Sequence, residues 1–60
     1  MKTEQEIRDE IEACLKTIEN YTNAYKQKKI SKEIAQYETL QYTGIILGLK
    51  WVLGENDRFD

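Results

Sequence analysis

Apolar residues recur in the first half of the chain at alternating steps of four and three positions. This spacing averages 3.5 residues, the period at which one stripe of an α-helix packs along a second helix. The pattern therefore predicts an amphipathic helix that pairs with another helix along one seam. The residues of the stripe are Ile7, Ile11, Cys14, Ile18, Tyr21 and Tyr25.

A capping signature precedes this stripe. Thr3 is followed three positions later by Glu6, which matches the capping box of a helix N-terminus. Acidic residues are frequent early in the segment and lysines late, as the helix dipole favours. Helix 1 is therefore predicted over about residues 4–27.

A turn is predicted at residues 28–31, although no glycine or proline marks it. Ser31 is a favourable N-cap, so a second helix is expected to begin directly after it. Helix 2 is predicted over about residues 32–53, because Gly54 is a typical C-terminal stop. Residues 54–60 then form a short acidic tail.

The second predicted helix is apolar around most of its circumference. Three apolar rows run along it: Tyr37, Leu40, Gly44, Leu47 and Trp51; Ile34, Ile45, Gly48 and Val52; and Tyr42, Ile46, Leu49 and Leu53. Helix 1 can cover only one face, so the remaining apolar surface predicts contact with another chain. A β-strand over residues 45–53 is the alternative, but no second strand-like segment is present to pair with it. The residues expected in the core or dimer interface are Leu40, Gly44, Ile45, Leu47, Gly48, Trp51 and Val52.

The chain is short for an independently stable core. With 60 residues it forms a single domain, and chains of this size usually need a disulfide, a metal or a partner. Cys14 is the only cysteine and histidine is absent, so neither an internal disulfide nor a typical metal site can stabilise the core. A partner chain is the remaining source of stability. The sequence therefore predicts an all-α protein: an antiparallel two-helix hairpin that forms a homodimer, as a four-helix bundle.

Composition argues against several functional classes. No residues form a recognisable catalytic, metal-binding or cofactor-binding set, so the chain is interpreted as a non-enzyme without cofactors. The longest apolar stretch, residues 44–54, is too short for a membrane helix and contains Lys50. The polar N-terminus is unlike a secretory signal, which predicts a cytoplasmic protein with a reduced cysteine.

Lysines cluster around the predicted turn, whereas acidic residues concentrate at the opposite end of the hairpin. Three interpretations remain open: a solvated turn, head-to-tail pairing of two hairpins, and binding of phosphate or nucleic acid with a tyrosine stacking on bases. A net charge of −2 gives no general affinity for nucleic acid. The residues concerned are Tyr25, Lys26, Lys28, Lys29 and Lys32.

One segment resembles a group of known proteins. It reads Ile45-Ile46-Leu47-Gly48-Leu49-Lys50-Trp51-Val52-Leu53-Gly54-Glu55. It is similar to the C-terminal ends of small phage and prophage helical-hairpin proteins of unknown function. The resemblance implies a small phage gene product that acts in the host cytoplasm, for example as an inhibitor of a defence enzyme or of a transcription or replication factor. No functional residues are defined for that group.

These observations favour a protein-interaction function. The main hypothesis is a helical hairpin that dimerises through helix 2 and binds, and thereby inhibits, an unidentified host protein. The alternatives are a nucleic-acid-binding or regulatory module that uses the lysine-rich turn, and a purely structural self-assembly element.

Overall fold

The described part of the chain folds into two α-helices joined by a short turn. The structure is a computed structural model that describes residues 3–54. The first helix, α1, comprises Glu4–Lys26, and the second, α2, comprises Lys32–Val52. The two helices pack against each other as a hairpin, which confirms the all-α prediction. Residues 45–52, for which a strand was the alternative, are helical.

Hydroxyl side chains cap both helix N-termini. The Thr3 side chain accepts a hydrogen bond from the Glu6 backbone N–H at 3.1 Å, and its hydroxyl donates to the Glu6 carboxylate at 3.3 Å. Ser31 accepts from the Ile34 N–H at 3.2 Å in the same way. Each cap satisfies one backbone donor and is worth about 1 kcal/mol.

The turn is closed by a pair of backbone hydrogen bonds after α1. The N–H of Lys28 donates to the carbonyl of Tyr25, and the N–H of Lys29 donates to that of Ala24, both at 2.9 Å. This pair of bonds is the Schellman motif. It requires a left-handed backbone at Lys28, whose φ is 61°. The chain therefore reverses direction there without a glycine.

A thin core lies between the two helices. Ile11, Cys14 and Ile46 are buried together, and Ala35 is buried closer to the turn. Partly buried side chains pack around the central three: Ile7, Ile18, Tyr42, Leu49 and Leu53. The α1 half of this core is the predicted stripe, and the α2 half is the row that contains Ile46.

Two tyrosines extend the helix–helix contact toward the turn. The ring centroids of Tyr21 and Tyr42 are 6.4 Å apart, with 31° between the ring planes. The negative charge of Glu38 raises the pKa of the Tyr21 phenol, and partial desolvation raises it further. Tyr21 therefore remains a protonated hydrogen-bond donor beside Glu38.

Candidate interaction surface

The face of α2 that points away from α1 is apolar and exposed. Leu40 is 72 % exposed, Tyr37 is 62 % exposed and Val52 is 61 % exposed. We call this surface the outer face; its large apolar side chains are Ile34, Tyr37, Leu40, Ile45, Leu47, Trp51 and Val52. Soluble monomers rarely expose apolar patches of more than a few hundred Å² unless the patch binds something.

Helix geometry explains why the outer face stays uncovered. Successive residues of an α-helix are rotated by about 100°. The row that contains Leu40 and Leu47 is therefore roughly opposite the row that contains Ile46, which packs on α1. A two-helix hairpin can bury only one of these rows, so α1 leaves the other in solvent.

The structure places the predicted interface residues together, but outside the hairpin core. Gly48 is half-buried, whereas the others are exposed on α2: Leu40, Gly44, Ile45, Leu47, Trp51 and Val52. The intramolecular core uses the third apolar row of α2 instead. An interface role for these residues therefore requires a second molecule. Periodicity could identify the three rows, but it contains no information about which row α1 covers.

Two glycines lie along this surface, and no contact within the hairpin requires a glycine at either position. A Cβ atom added at Gly44 or Gly48 meets no atom within 4 Å. Each glycine in a helix interior costs about 1 kcal/mol relative to alanine. Packing between α1 and α2 therefore does not explain their presence, and the backbone is open to close approach from outside at Gly44.

The lysines predicted around the turn are brought to one end of the hairpin. All of them are exposed, and the exposed Tyr25 ring lies at the same end. Among the described residues the opposite end of α1 is acidic, with Arg8 as its basic residue. The acidic residues there are Glu4, Glu6, Asp9, Glu10 and Glu12. The hairpin thus has a basic end and an acidic end; the predicted acidic residues 55–60 lie outside the described part.

A shallow open groove runs beside Leu15, which is about half exposed. Side chains of both charges line it: Arg8, Glu12, Lys16, Glu19 and Lys50. The Arg8 guanidinium donates to Glu4 at 3.0 Å. Because the charges are mixed and the groove is open, it indicates no particular ligand.

Cys14 is a core residue. Its side chain is 2 % exposed, and its sulfur lies 4.0 Å from a carboxylate oxygen of Glu10. Burial raises the pKa of the thiol, and the charge of Glu10 raises it further. The thiol therefore stays protonated and packs as a small apolar group, as expected from its place in the α1 stripe.

Neither helix within residues 3–54 has the length and hydrophobicity that crossing a membrane requires. The same part of the chain contains no group of three or more acidic or cysteine side chains arranged to hold a metal ion.

Comparisons with protein-family models, curated proteins and solved structures find no match for this chain. The geometry alone defines the class: a two-helix hairpin that presents an apolar helix face.

Proposed function

We propose that this chain is a non-enzymatic protein-interaction module that acts through the outer face of α2. The observation that supports the proposal is the exposure of seven large apolar side chains on one side of a single helix. Burying such a surface against another protein is favourable by about 25 cal/mol per Å² of apolar area.

The shape of the surface favours a helical or groove-like counterpart. Leu40 and Leu47 lie two turns apart in one row, with Gly44 between them. An amphipathic helix binds a hydrophobic groove, or a second helix, through apolar residues at this spacing. Binding of this kind needs no chemistry from the chain, only a rigid apolar face.

The consequence for the cell depends on what is bound. The phage-type resemblance of residues 45–55 implies a host protein as the final target. In that case the hairpin acts by covering a functional surface of the target or by holding it in an inactive conformation. A purely structural role in self-assembly would use the same outer face.

Site-specific photo-crosslinking in the cells that produce the protein tests this function. A benzoylphenylalanine at Leu40 should form protein adducts, because the outer face is occupied. The control is the same group at Asn20, an exposed residue on the side of α1 away from α2. Equal yields from the two positions, or no adducts from Leu40, would contradict the proposal.

The clustering of exposed lysines at the turn supports a second candidate function, binding of phosphate or nucleic acid. Single-stranded nucleic acid binds basic surfaces that also offer an aromatic ring, here Tyr25. Replacing Lys26, Lys28, Lys29 and Lys32 with glutamine should then abolish binding to single-stranded DNA. Binding that survives this change, or that does not weaken as salt rises, would exclude the candidate.

A further inference from the structure

We propose that the outer face of α2 is covered by the outer face of a second copy of this chain, with the two α2 helices antiparallel. The inference rests on the proposed function, because it names the occupant of the same surface. Two properties of the chain support it: the arrangement of residues along the outer face, and the charges at its two ends.

The outer face has the arrangement that a two-fold interface needs. Identical chains usually pair about a two-fold axis, so that each contributes the same patch. Leu40 precedes Gly44 by about one turn, and Leu47 follows it by about one turn. An axis perpendicular to the helices near Gly44 would bring Leu40 of each copy close to Leu47 of the other.

The charges at the two ends select the antiparallel orientation. A parallel pair would place the turn lysines of the two copies side by side, which is unfavourable. The antiparallel pair instead brings the basic turn of each copy toward the acidic end of the other. It also aligns the two α2 dipoles favourably. Complementary charges of this kind fix orientation more than they add affinity.

The position of the outer face also determines how the four helices are ordered. Because this face lies opposite α1, the two α2 helices occupy the centre of the dimer and the two α1 helices the outside. The four-helix assembly is therefore built around a central pair of α2 helices, which no arrangement through α1 would produce.

Light scattering across a dilution series tests whether a second copy of the chain covers the outer face. The purified chain should have a mass of about 14 kDa, twice the 7.1 kDa of one chain, and dissociate on dilution. Leu40→Glu should raise the dissociation constant at least 100-fold, because it places a charge in the apolar contact. Asn20→Glu adds the same charge on the far side of α1 and should leave the constant within about twofold of the parent value.

The mass of the parent chain tests the inference without depending on whether a variant folds. A helical chain that keeps the 7.1 kDa mass of a monomer up to millimolar concentration would overturn the inference. If Leu40 crosslinks to other proteins in that case, the interaction function stands and only the second copy is rejected. If Leu40 also gives no adducts, the interaction function itself fails.

A distance between spin labels tests the orientation. Lys32→Cys puts a label at the exposed start of α2, whereas buried Cys14 is shielded from the reagent. With the axis near Gly44, the two labels should be about 35–45 Å apart, since each lies twelve residues from the axis. Labels within about 25 Å would show a parallel pair and overturn the antiparallel arrangement.

Discussion

Lys28 occupies a backbone conformation that suits glycine better than lysine. Its φ of 61° puts the side chain against its own backbone, which costs a non-glycine residue about 1–2 kcal/mol. The Schellman hydrogen bonds after α1 hold it there. At the end of α2 the equivalent position is Gly54, with a φ of 78°. The two helices thus end in related conformations with different residues.

Lys28→Gly should therefore stabilise the fold. We expect the free energy of unfolding to rise by about 0.5–1 kcal/mol, because removal of the Cβ strain outweighs the added freedom of the unfolded chain. Gly54→Ala is the matched change at the other helix end and should lower it by about 1 kcal/mol. Urea unfolding followed by circular dichroism at one fixed protein concentration measures both. A loss of stability in Lys28→Gly would contradict the assigned turn.

Cys14 makes stability sensitive to alkaline pH. Its pKa is raised in the folded state by burial and then by the charge of Glu10. A raised folded pKa contributes stability that is complete below the pKa of the unfolded thiol. That contribution is lost as pH rises from the ordinary thiol pKa through the higher folded value.

The free energy of unfolding should consequently fall over that alkaline range in the parent chain. Cys14→Ala removes the titrating group and should flatten this part of the pH profile. Urea unfolding at a series of pH values measures both profiles. Parallel profiles for the two chains would show that the thiol does not carry the effect.

At the scale of the helices, α1 and α2 differ in how much apolar surface they retain for other contacts. Most of the α1 stripe lies in or beside the core, whereas α2 buries one apolar row and exposes the outer face. Within α2, Ile46 represents the buried row and Leu40 the exposed outer face. Both are large aliphatic residues of α2, but only Ile46 is buried within the hairpin.

Alanine substitutions should separate these two roles. Ile46→Ala should lower the free energy of unfolding by about 2–5 kcal/mol at any protein concentration, because it leaves a cavity in the core. Leu40→Ala should have an effect that grows with protein concentration, because it weakens association and not the hairpin itself. Thermal unfolding at two concentrations distinguishes them. A concentration-independent loss of several kcal/mol in Leu40→Ala would place that residue in the intramolecular core.

Much of the hairpin could be predicted from the sequence because its signals are local. The caps at Thr3 and Ser31, the stop at Gly54 and the α1 stripe each depend on a few neighbouring residues. The face of α2 that meets α1 could not be predicted, since three apolar rows compete and the choice depends on the geometry of the turn. The left-handed backbone at Lys28 could not be predicted either, because lysine, unlike glycine or asparagine, does not indicate this conformation.

For the whole molecule, the exposed apolar face and the separation of charge between the two ends favour the proposed antiparallel pair over an independent monomer. The hairpin has a thin core, a wide apolar outer face, a basic turn and an acidic opposite end. In the proposed dimer, an antiparallel second copy would cover the apolar face and would bring each basic turn toward an acidic end. The outer sides of α1 would then remain on the surface for any further partner.

The concentration dependence of thermal unfolding tests the central claim, that the outer face of α2 is an intermolecular contact. For a dimer of 60-residue chains the unfolding enthalpy is about 80 kcal/mol. The midpoint should then rise by about 6 °C for each tenfold increase in protein concentration, because association stabilises only the folded chain. A cooperative transition whose midpoint stays fixed over a hundredfold range would show a self-sufficient monomer and contradict the account.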